Sequence, residues 1–403
     1  MNRLPLVAVG VALGIVGAAC SGDSQTRSST PSELTPGRTT VTAPSFPGWP
    51  ATDFSKTTID LREVEPGCPA RDCIPPLDVP GTVEIAAAQG GHATFAPAKT
   101  VEFEPQLPIA VVTASGITKG YPLHVLTWHE VVNDRFGDVP VVVTFCPLCN
   151  TAISFDRRID GRVLDFGVSG NLRNSDLIMW DRQTESWWQQ ATGEGIAGAL
   201  AGKKLVHVST TIVSFRDFVA NHPDAPILTE DTGFGRSYGI NPYAGYDGDS
   251  RPFLFSGTPD PRLPALNRVV TLDRDGDGVA IPLTSLATVG VSNLKAGGKD
   301  LAVFWAPGTA SALGAESIKD AADIGSAAVY ESRLEGSDLT FRPGDVPGTF
   351  IDEQTGTSWN IFGTGIAGKF AGKQLAPVFH TTEFWFAWAA FHPKTTIWAP
   401  AQP

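Results

Sequence analysis

The chain has few basic residues, few cysteines and only one long apolar run. Its 30 Lys and Arg residues are outnumbered by 42 Asp and Glu residues, which gives a net charge of −12. The basic residues form no cluster along the sequence. Nucleic acid and anionic lipid are poor partners for such a surface. We therefore expect no nucleic-acid partner.

The one long apolar run extends from Leu4 to Ala19 and ends directly before Cys20. It is short for a membrane span, which needs about 20 apolar residues. Small residues before a cysteine are typical of a bacterial lipoprotein cleavage site. We predict a signal peptide over 1–19, lipidation of Cys20, and anchoring at the outer face of the bacterial cell membrane. An ordinary secretory signal or a short membrane anchor is the alternative.

Residues 20–57 are rich in Ser, Thr and Pro and have almost no periodic apolar residues. Such a composition cannot bury enough apolar surface to order the chain. It predicts a disordered stalk that contributes nothing to the core.

The rest of the chain contains the same pattern twice. The segment Gly195-Ile-Ala-Gly-Ala-Leu-Ala-Gly-Lys-Lys-Leu205 returns as Gly365-Ile-Ala-Gly-Lys-Phe-Ala-Gly-Lys-Gln-Leu375. We predict repeat one over 58–230, a Gly- and Tyr-rich joint over 231–262, and a degenerate repeat two over 263–403. Short β-rich runs separated by turn residues dominate both repeats, and repeat one has predicted helices over 122–133 and 214–221. The predicted fold is α+β, mainly β, with two tandem pseudo-symmetric repeats that have one or two helices each.

A second recurring run predicts a turn. Asp181-Arg-Gln-Thr-Glu-Ser-Trp-Trp recurs as Asp352-Glu-Gln-Thr-Gly-Thr-Ser-Trp. Because both copies keep Asp, Gln, Thr and Trp, we predict that its role is structural, with polar side chains that hydrogen-bond to backbone.

Cys146 and Cys149 lie in a Cys-Pro-Leu-Cys turn between two predicted strands. Two thiols at a hairpin tip suit either thiol redox chemistry or the binding of a soft metal such as copper or zinc. The second repeat has Ala306 and Thr309 at these positions, so the thiols are not needed to build the module. We therefore interpret them as functional residues, catalytic or metal-binding.

Two histidines on the preceding predicted helix are candidates for the same site. His129 shares a helix face with apolar residues and points toward the interior, where a histidine is usually a core residue. Repeat two replaces His124 and His129 with Thr284 and Val289, so the histidines and the cysteines are lost together. This joint loss suggests one degenerate site, with His129 as a catalytic or metal-binding group and His124 as a further metal ligand.

The remaining candidates are a disulfide and three binding residues. In an exported protein, Cys68 and Cys73 are best explained as a local disulfide, with a four-cysteine zinc site as the alternative. Glu130 and Asn133 follow His129 and are placed to orient it or a ligand, or to be solvated helix residues. Tyr243, in the Tyr-rich joint, is a candidate for partner recognition.

Several motifs resemble the bacterial domain-of-unknown-function family numbered 3179. They cover nearly all of the chain after the predicted stalk: Tyr121-Pro-Leu, Trp128-His-Glu-Val-Val-Asn-Asp, Val143-Thr-Phe-Cys-Pro-Leu-Cys, Phe166-Gly-Val-Ser-Gly, Asp181-Arg-Gln-Thr-Glu-Ser-Trp and Asn241-Pro-Tyr-Ala-Gly-Tyr. The resemblance implies no established activity. Some relatives are described as having selenocysteine in the Cys-Pro-x-Cys region, which implies redox or soft-metal chemistry at Cys146 or Cys149.

Two functions of different classes follow. The first is an extracytoplasmic lipoprotein with a Cys-x-x-Cys site for thiol redox chemistry or for copper or zinc, served by an unidentified redox or metal-delivery partner. The second is a non-catalytic envelope binding module in which Cys146 and Cys149 form a structural disulfide. The sequence leaves open whether the protein is an enzyme.

Overall fold

The computed structural model describes residues 45–273 and 278–400. The predicted signal peptide, Cys20 and the predicted stalk up to residue 44 lie outside these ranges. The described residues all belong to one unit, which spans 43–403. Within this part of the chain, no helix has both the length and the apolar character needed to cross a membrane.

The structure is mainly β, as predicted. In the first part of the chain the helices are α1 (Leu123–His129) and α2 (Phe215–Asn221), and the strands are β1 (Val64–Pro66), β2 (Leu77–Asp78), β3 (Phe95–Pro97), β4 (Pro108–Ala114), β5 (Ile117–Pro122), β6 (Val131–Phe136), β7 (Val139–Cys146), β8 (Thr151–Asp156), β9 (Arg158–Ile159), β10 (Arg162–Val163), β11 (Phe166–Arg173), β12 (Asp176–Asp181), β13 (Trp187–Gln189), β14 (Glu194–Ala197), β15 (Val206–Ser214) and β16 (Pro226–Leu228). In the second part the helices are α3 (Leu283–Val289) and α4 (Trp385–Phe391), and the strands are β17 (Arg268–Leu272), β18 (Val279–Pro282), β19 (Val291–Ala296), β20 (Lys299–Ala306), β21 (Ser326–Glu331), β22 (Arg333–Leu334), β23 (Ser337–Asp338), β24 (Phe341–Pro343), β25 (Phe350–Asp352), β26 (Ser358–Trp359), β27 (Gly365–Ala367), β28 (Thr381–Phe384) and β29 (Thr396–Ile397).

Two sheets form most of the first half. A nine-stranded sheet has the order β2-β6-β7-β8-β15-β4-β5-β16-β3, and a five-stranded sheet has the order β1-β11-β12-β13-β14. Strand β7 lies inside the larger sheet, and all of its residues after Val139 are buried. This burial on both faces explains why its sequence is a continuous apolar run rather than an alternating one.

The second half repeats the order of elements. A hairpin, β17–β18, leads into α3 and then into the antiparallel strands β19, β20 and β21, just as β4–β5 leads into α1, β6, β7 and β8. The pseudo-symmetry of the two halves stays a prediction. The halves share one core, because Ala312, Leu313, Phe384 and Phe386 belong to the same buried cluster as Val143 of the first half.

The predicted helix over 122–133 is wrong at its C-terminal end. Helix α1 stops at His129, Glu130 has a φ of 57°, and the chain continues as strand β6. Val131 and Val132 are β-branched and pair antiparallel with Thr144 and Val143 of β7. Sheet pairing therefore overrides the helical pattern that apolar spacing suggested.

The ordered fold begins before the predicted end of the stalk. Phe46 and Phe54 pack edge-on against Trp187, with ring centroids 4.8 and 4.9 Å away, and Trp49 packs against both Trp180 and Trp187. These three aromatic residues stand in a Ser-, Thr- and Pro-rich sequence without helical or strand periodicity. Residues 45–57 therefore belong to the fold rather than to the stalk.

Several acidic side chains inside the first half are paired with bases. Arg157 contacts Asp165 at 2.5 Å, and the two side chains are fully buried. Arg182 contacts Asp78 at 2.8 Å, and Lys119 contacts Asp134 at 2.9 Å. Such pairing offsets the cost of removing these charges from water.

The run that recurs at Asp181 and Asp352 forms the same hydrogen-bonded turn twice. Asp181 accepts hydrogen bonds from Thr184 and, at 2.9 Å, from the indole of Trp188. Asp352 accepts the matching bonds from Thr355 and, at 3.0 Å, from Trp359. The prediction of a structural turn is confirmed.

We expect Asp181→Ala and Asp352→Ala each to lower the free energy of unfolding by about 2–4 kcal/mol, because each leaves a buried indole N–H without an acceptor. Chemical denaturation of both variants checks this. If only one of them destabilised the protein, the two turns would not be equivalent.

Candidate functional site

Cys146 and Cys149 lie at the tip of the β7–β8 hairpin. Cys146 is the last residue of β7 and pairs with Thr151, the first residue of β8. Asn150 closes the turn with a φ of 54°, a left-handed conformation that asparagine tolerates better than most residues. Both cysteines are free thiols, and their exposed fractions are only 2% and 1%. The predicted hairpin is thus present, and its two sulfurs face the interior.

A neighbouring hairpin places a carboxylate beside the sulfurs. Asn174 and Ser175, with φ values of 54° and 64°, form the tight turn between β11 and β12. The carbonyl of Ser175 accepts hydrogen bonds from the thiols of Cys146 and Cys149 at 3.8 and 3.4 Å. One carboxylate oxygen of Asp176 and the two sulfurs all lie within 4.8 Å of one another.

The two carboxylate oxygens of Asp176 differ in their hydrogen bonds. Its Oδ2 accepts hydrogen bonds from the Gln189 amide at 2.6 Å and from the Ala191 N–H at 2.9 Å. Its Oδ1 is buried and accepts no N–H or O–H hydrogen bond among the described residues, and the thiols of Cys146 and Cys149 are weak donors to this carboxylate. A buried carboxylate oxygen that has only weak donors is costly unless a proton or a cation neutralises it.

Two further carboxyl groups interact electrostatically with the cysteines and Asp176. Glu130, at the end of α1, interacts electrostatically with Asp176 and Cys146. Glu383, from β28 of the second half, interacts with Cys149 and accepts a hydrogen bond from Thr271 at 3.0 Å. The second half also contacts the cysteine turn directly, because the N–H of Phe384 donates to the carbonyl of Cys149 at 2.9 Å.

Burial raises the pKa of every acidic group of the site. It raises the pKa of Glu130 to about 8, that of Glu383 to about 7 and that of Asp176 to about 6. Burial also raises the pKa values of the Cys146 and Cys149 thiols, and the negative charge of Asp176 adds to the effect. The site therefore favours either its protonated form or a bound cation.

The predicted joint covers the site. Tyr246 is buried, and its hydroxyl donates to the carbonyl of Leu148 in the cysteine turn at 3.0 Å. Ser175 donates to the carbonyl of Phe253 at 2.6 Å. Burial raises the pKa of the Tyr243 hydroxyl, and the charges of Glu130 and Cys146 raise it further. Tyr243 was predicted from the sequence to recognise a partner, and in the structure its hydroxyl is close enough to Glu130 and Cys146 for electrostatic interaction.

His129 is buried but is not brought to the sulfurs. Its Nδ1 donates to the carbonyl of Pro75 at 2.7 Å, and its Nε2 accepts from the hydroxyl of Tyr238 at 2.7 Å. Burial lowers the pKa of the imidazole to about 4, which keeps it neutral. Because both ring nitrogens are engaged, we leave His129 out of the donor set.

His124 and Asn133 also make other contacts. The Nε2 of His124 contacts a carboxylate oxygen of Glu230 at 2.8 Å, next to a cavity of about 370 Å³. The amide of Asn133 donates to Asp78 and to the carbonyl of Phe166 at 2.9 and 2.8 Å, and it accepts from the Phe166 N–H. Asn133 is therefore used to join β2, β6 and β11.

Cys68 and Cys73 are paired as a disulfide, with a Cα–Cα distance of 6.4 Å. They are joined to each other and not to Cys146 or Cys149. The four-cysteine zinc site, which was the alternative, therefore does not form in this structure.

Sequence reasoning missed Asp176 and Glu383. A signal for Asp176 was present: it stands five residues before Asp181, whereas Pro347 stands five residues before Asp352. The carboxylate is thus absent from the second half together with the cysteines. Glu383 gave no such signal, because it comes from the half that lacks the thiols.

A family model described as a protein of unknown function, DUF3179, matches residues 71–395. The chain belongs to this family. No curated protein and no solved structure matches the chain. The matched DUF3179 region contains the whole thiol and carboxylate site, but it begins after Cys68 and so leaves out one half of the disulfide.

We expect the two site thiols to resist alkylation in the folded protein and to react once it is unfolded. Burial both blocks the sulfurs and raises their pKa values, so little reactive thiolate is exposed. A thiol count on a Cys20→Ser chain without reductant should rise from near zero to two on adding denaturant, one for each free cysteine. Rapid labelling of the folded protein would contradict this burial.

We also expect the metal-free protein to lose stability as the pH rises from about 4.5 to about 8. Glu130 and Glu383 have raised pKa values in the folded state, so the folded protein holds more protons than the unfolded chain in this range. Each carboxyl contributes up to about 3 kcal/mol that is lost as it ionises. Denaturation at several pH values measures the slope, which should be shallower in Glu383→Gln. An unchanged slope would show that Glu383 is not a source of this dependence.

Proposed function

We propose that the protein is an extracytoplasmic lipoprotein that binds a soft divalent cation, with zinc as the best match, through Cys146, Cys149 and Asp176. The proposal depends on one observation: the buried sulfurs of Cys146 and Cys149 and a buried carboxylate oxygen of Asp176 all lie within 4.8 Å of one another. The Oδ1 of Asp176 supports it, because this oxygen accepts no N–H or O–H hydrogen bond among the described residues and a cation would supply a strong partner.

The donor set favours zinc over copper. Zinc accepts thiolate sulfur at about 2.3 Å together with carboxylate oxygen at about 2.0–2.2 Å. Monovalent copper prefers soft sulfur ligands, and a carboxylate is a poor addition to them. Three protein donors leave one of the four usual zinc positions for another ligand, an arrangement that is typical of zinc sites that do chemistry.

Electrostatics favour a cation over thiol redox catalysis. A redox cysteine needs a stable thiolate and an approach path for its partner. Here burial raises the pKa values of both thiols, and their exposed fractions of 2% and 1% leave no sulfur for a partner to attack. A bound cation, in contrast, would stabilise both thiolates and the neighbouring carboxylates at once.

The proposed cellular location is inferred from the sequence. The predicted signal peptide and the predicted lipid at Cys20 would hold the folded part at the outer face of the bacterial cell membrane. The Cys68–Cys73 disulfide supports an oxidising compartment, because disulfides persist outside the cytosol. A metal-delivery partner belongs to the same proposal.

We expect metal-stripped protein to bind about one zinc ion per chain, and a Cys146→Ser, Cys149→Ser double variant to bind none. A Cys68→Ser, Cys73→Ser double variant is the matched control, since it removes two cysteines from the same chain and leaves the donor set intact. Elemental analysis after zinc loading and removal of free zinc measures the difference.

Equal zinc content in the parent and the Cys146, Cys149 variant would refute the proposal. A parent that binds no zinc but forms a reversible bond between Cys146 and Cys149 would support thiol redox chemistry instead.

A further inference from the structure

Helices α1 and α3 end with the same backbone hydrogen bonds but with different residues. Glu130 closes α1, and Gly290 closes α3. The carbonyl of Glu130 accepts a hydrogen bond from the N–H of Phe145 at 2.8 Å, and that of Gly290 accepts one from Trp305 at 2.9 Å. The two positions are therefore structurally equivalent.

The backbone at this position suits glycine. Its φ is 57° at Glu130 and 70° at Gly290, in the left-handed region where a side chain is strained. The second half shows that glycine builds the same helix end. Glutamate in the first half is thus not required by the fold.

The side chain of Glu130 is also unfavourably placed for stability. Its exposed fraction is 6%, so its carboxyl group is almost entirely removed from water. Its carbonyl is bonded to the N–H of Phe145, the residue before Cys146, and its charge interacts with Asp176 and Cys146. A strained backbone and a buried carboxyl group at one residue, next to a donor set, indicate a functional role rather than a structural one.

We propose that Glu130 determines which ligand occupies the fourth position of the cation centre. This inference rests on the proposed function, in which Cys146, Cys149 and Asp176 supply three donors. A carboxylate near such a centre accepts a hydrogen bond from a neutral protic ligand such as water, and it repels an anion. The centre therefore selects neutral protic ligands over anions, and Glu130 acts as its specificity-determining residue.

The test uses the full chain loaded with Co²⁺, whose visible absorption reports the ligands of the centre, and sodium azide as the anionic probe. We expect the parent to bind azide weakly at mildly alkaline pH. Glu130→Gln removes a like charge near the probe and should bind azide about tenfold more tightly or better. The shift of the cobalt bands during the azide titration measures both affinities.

Two glycine variants separate a functional role from a packing role. Glu130→Gly should melt at or above the parent, because it removes backbone strain and a buried carboxyl group. Gly290→Glu is its matched control and should melt lower, because a Cβ there meets the Pro343 ring at 3.1 Å in a left-handed conformation.

The outcomes distinguish the two proposals. Cobalt bands in both proteins with equal azide affinity in the parent and Glu130→Gln would overturn this inference and leave the cation site standing. A parent without thiolate–cobalt bands would overturn both. A large fall in the melting temperature of Glu130→Gly, with azide affinity unchanged, would make Glu130 a packing residue.

Discussion

A charge held away from water has to be neutralised by a partner, and this constraint shapes the interior of the protein. Asp165 contacts Arg157, and Asp78 contacts Arg182, so that these acids lie beside a base. Asp181 has no base but accepts hydrogen bonds from Thr184 and from an indole. The thiol and carboxylate site departs from this rule in part. Asp176 and Glu383 accept hydrogen bonds, but the acidic groups of the site make no ion pair with a basic residue among the described residues. The departure is local, since the strands that hold the site are paired and buried, although the register of β11 and β12 shifts between Val168 and Leu172. The packed core around the site offsets the cost of burying these acidic groups.

The sequence predicted the cysteine hairpin well and the helix before it poorly. Apolar runs on both sides of a Cys-Pro-Leu-Cys turn leave few alternatives to a hairpin, and the pairing of Cys146 with Thr151 has that form. The helix was predicted too long because Val131 and Val132 fit a helical face as well as a strand. Only pairing with β7, which is a long-range interaction, decides between the two. His129 is helical as predicted, but its ring contacts Pro75 and Tyr238 rather than the thiols, and both of these contacts are long-range.

The site as a whole could be predicted only in part, for a related reason. Cys146 and Cys149 are three positions apart in the sequence, so a local motif identifies them together. Asp176 comes from another hairpin, and Glu383 comes from the other half of the chain. Comparison of the two halves detects residues that are lost together, and it could have revealed Asp176. The comparison cannot detect a residue such as Glu383, which belongs to the half without thiols and interacts with Cys149 across the shared core. The second half thus contributes a carboxyl group to the site although it lacks the cysteines.

The joint between the halves has a kinetic consequence. The hydroxyl of Tyr246 donates to the carbonyl of Leu148, and the hydroxyl of Ser175 donates to the carbonyl of Phe253. Leu148 and Ser175 are both neighbours of the two sulfurs. Because the two sulfurs are almost fully buried, a solute reaches them only when part of the surrounding structure opens, and detachment of this segment is one such opening. Under the proposed function, exchange of a bound cation would be limited by the frequency of local opening and not by the strength of the metal–ligand bonds. A cation held there would be retained through brief exposure to competing chelators, and it would bind most readily while the chain is still folding.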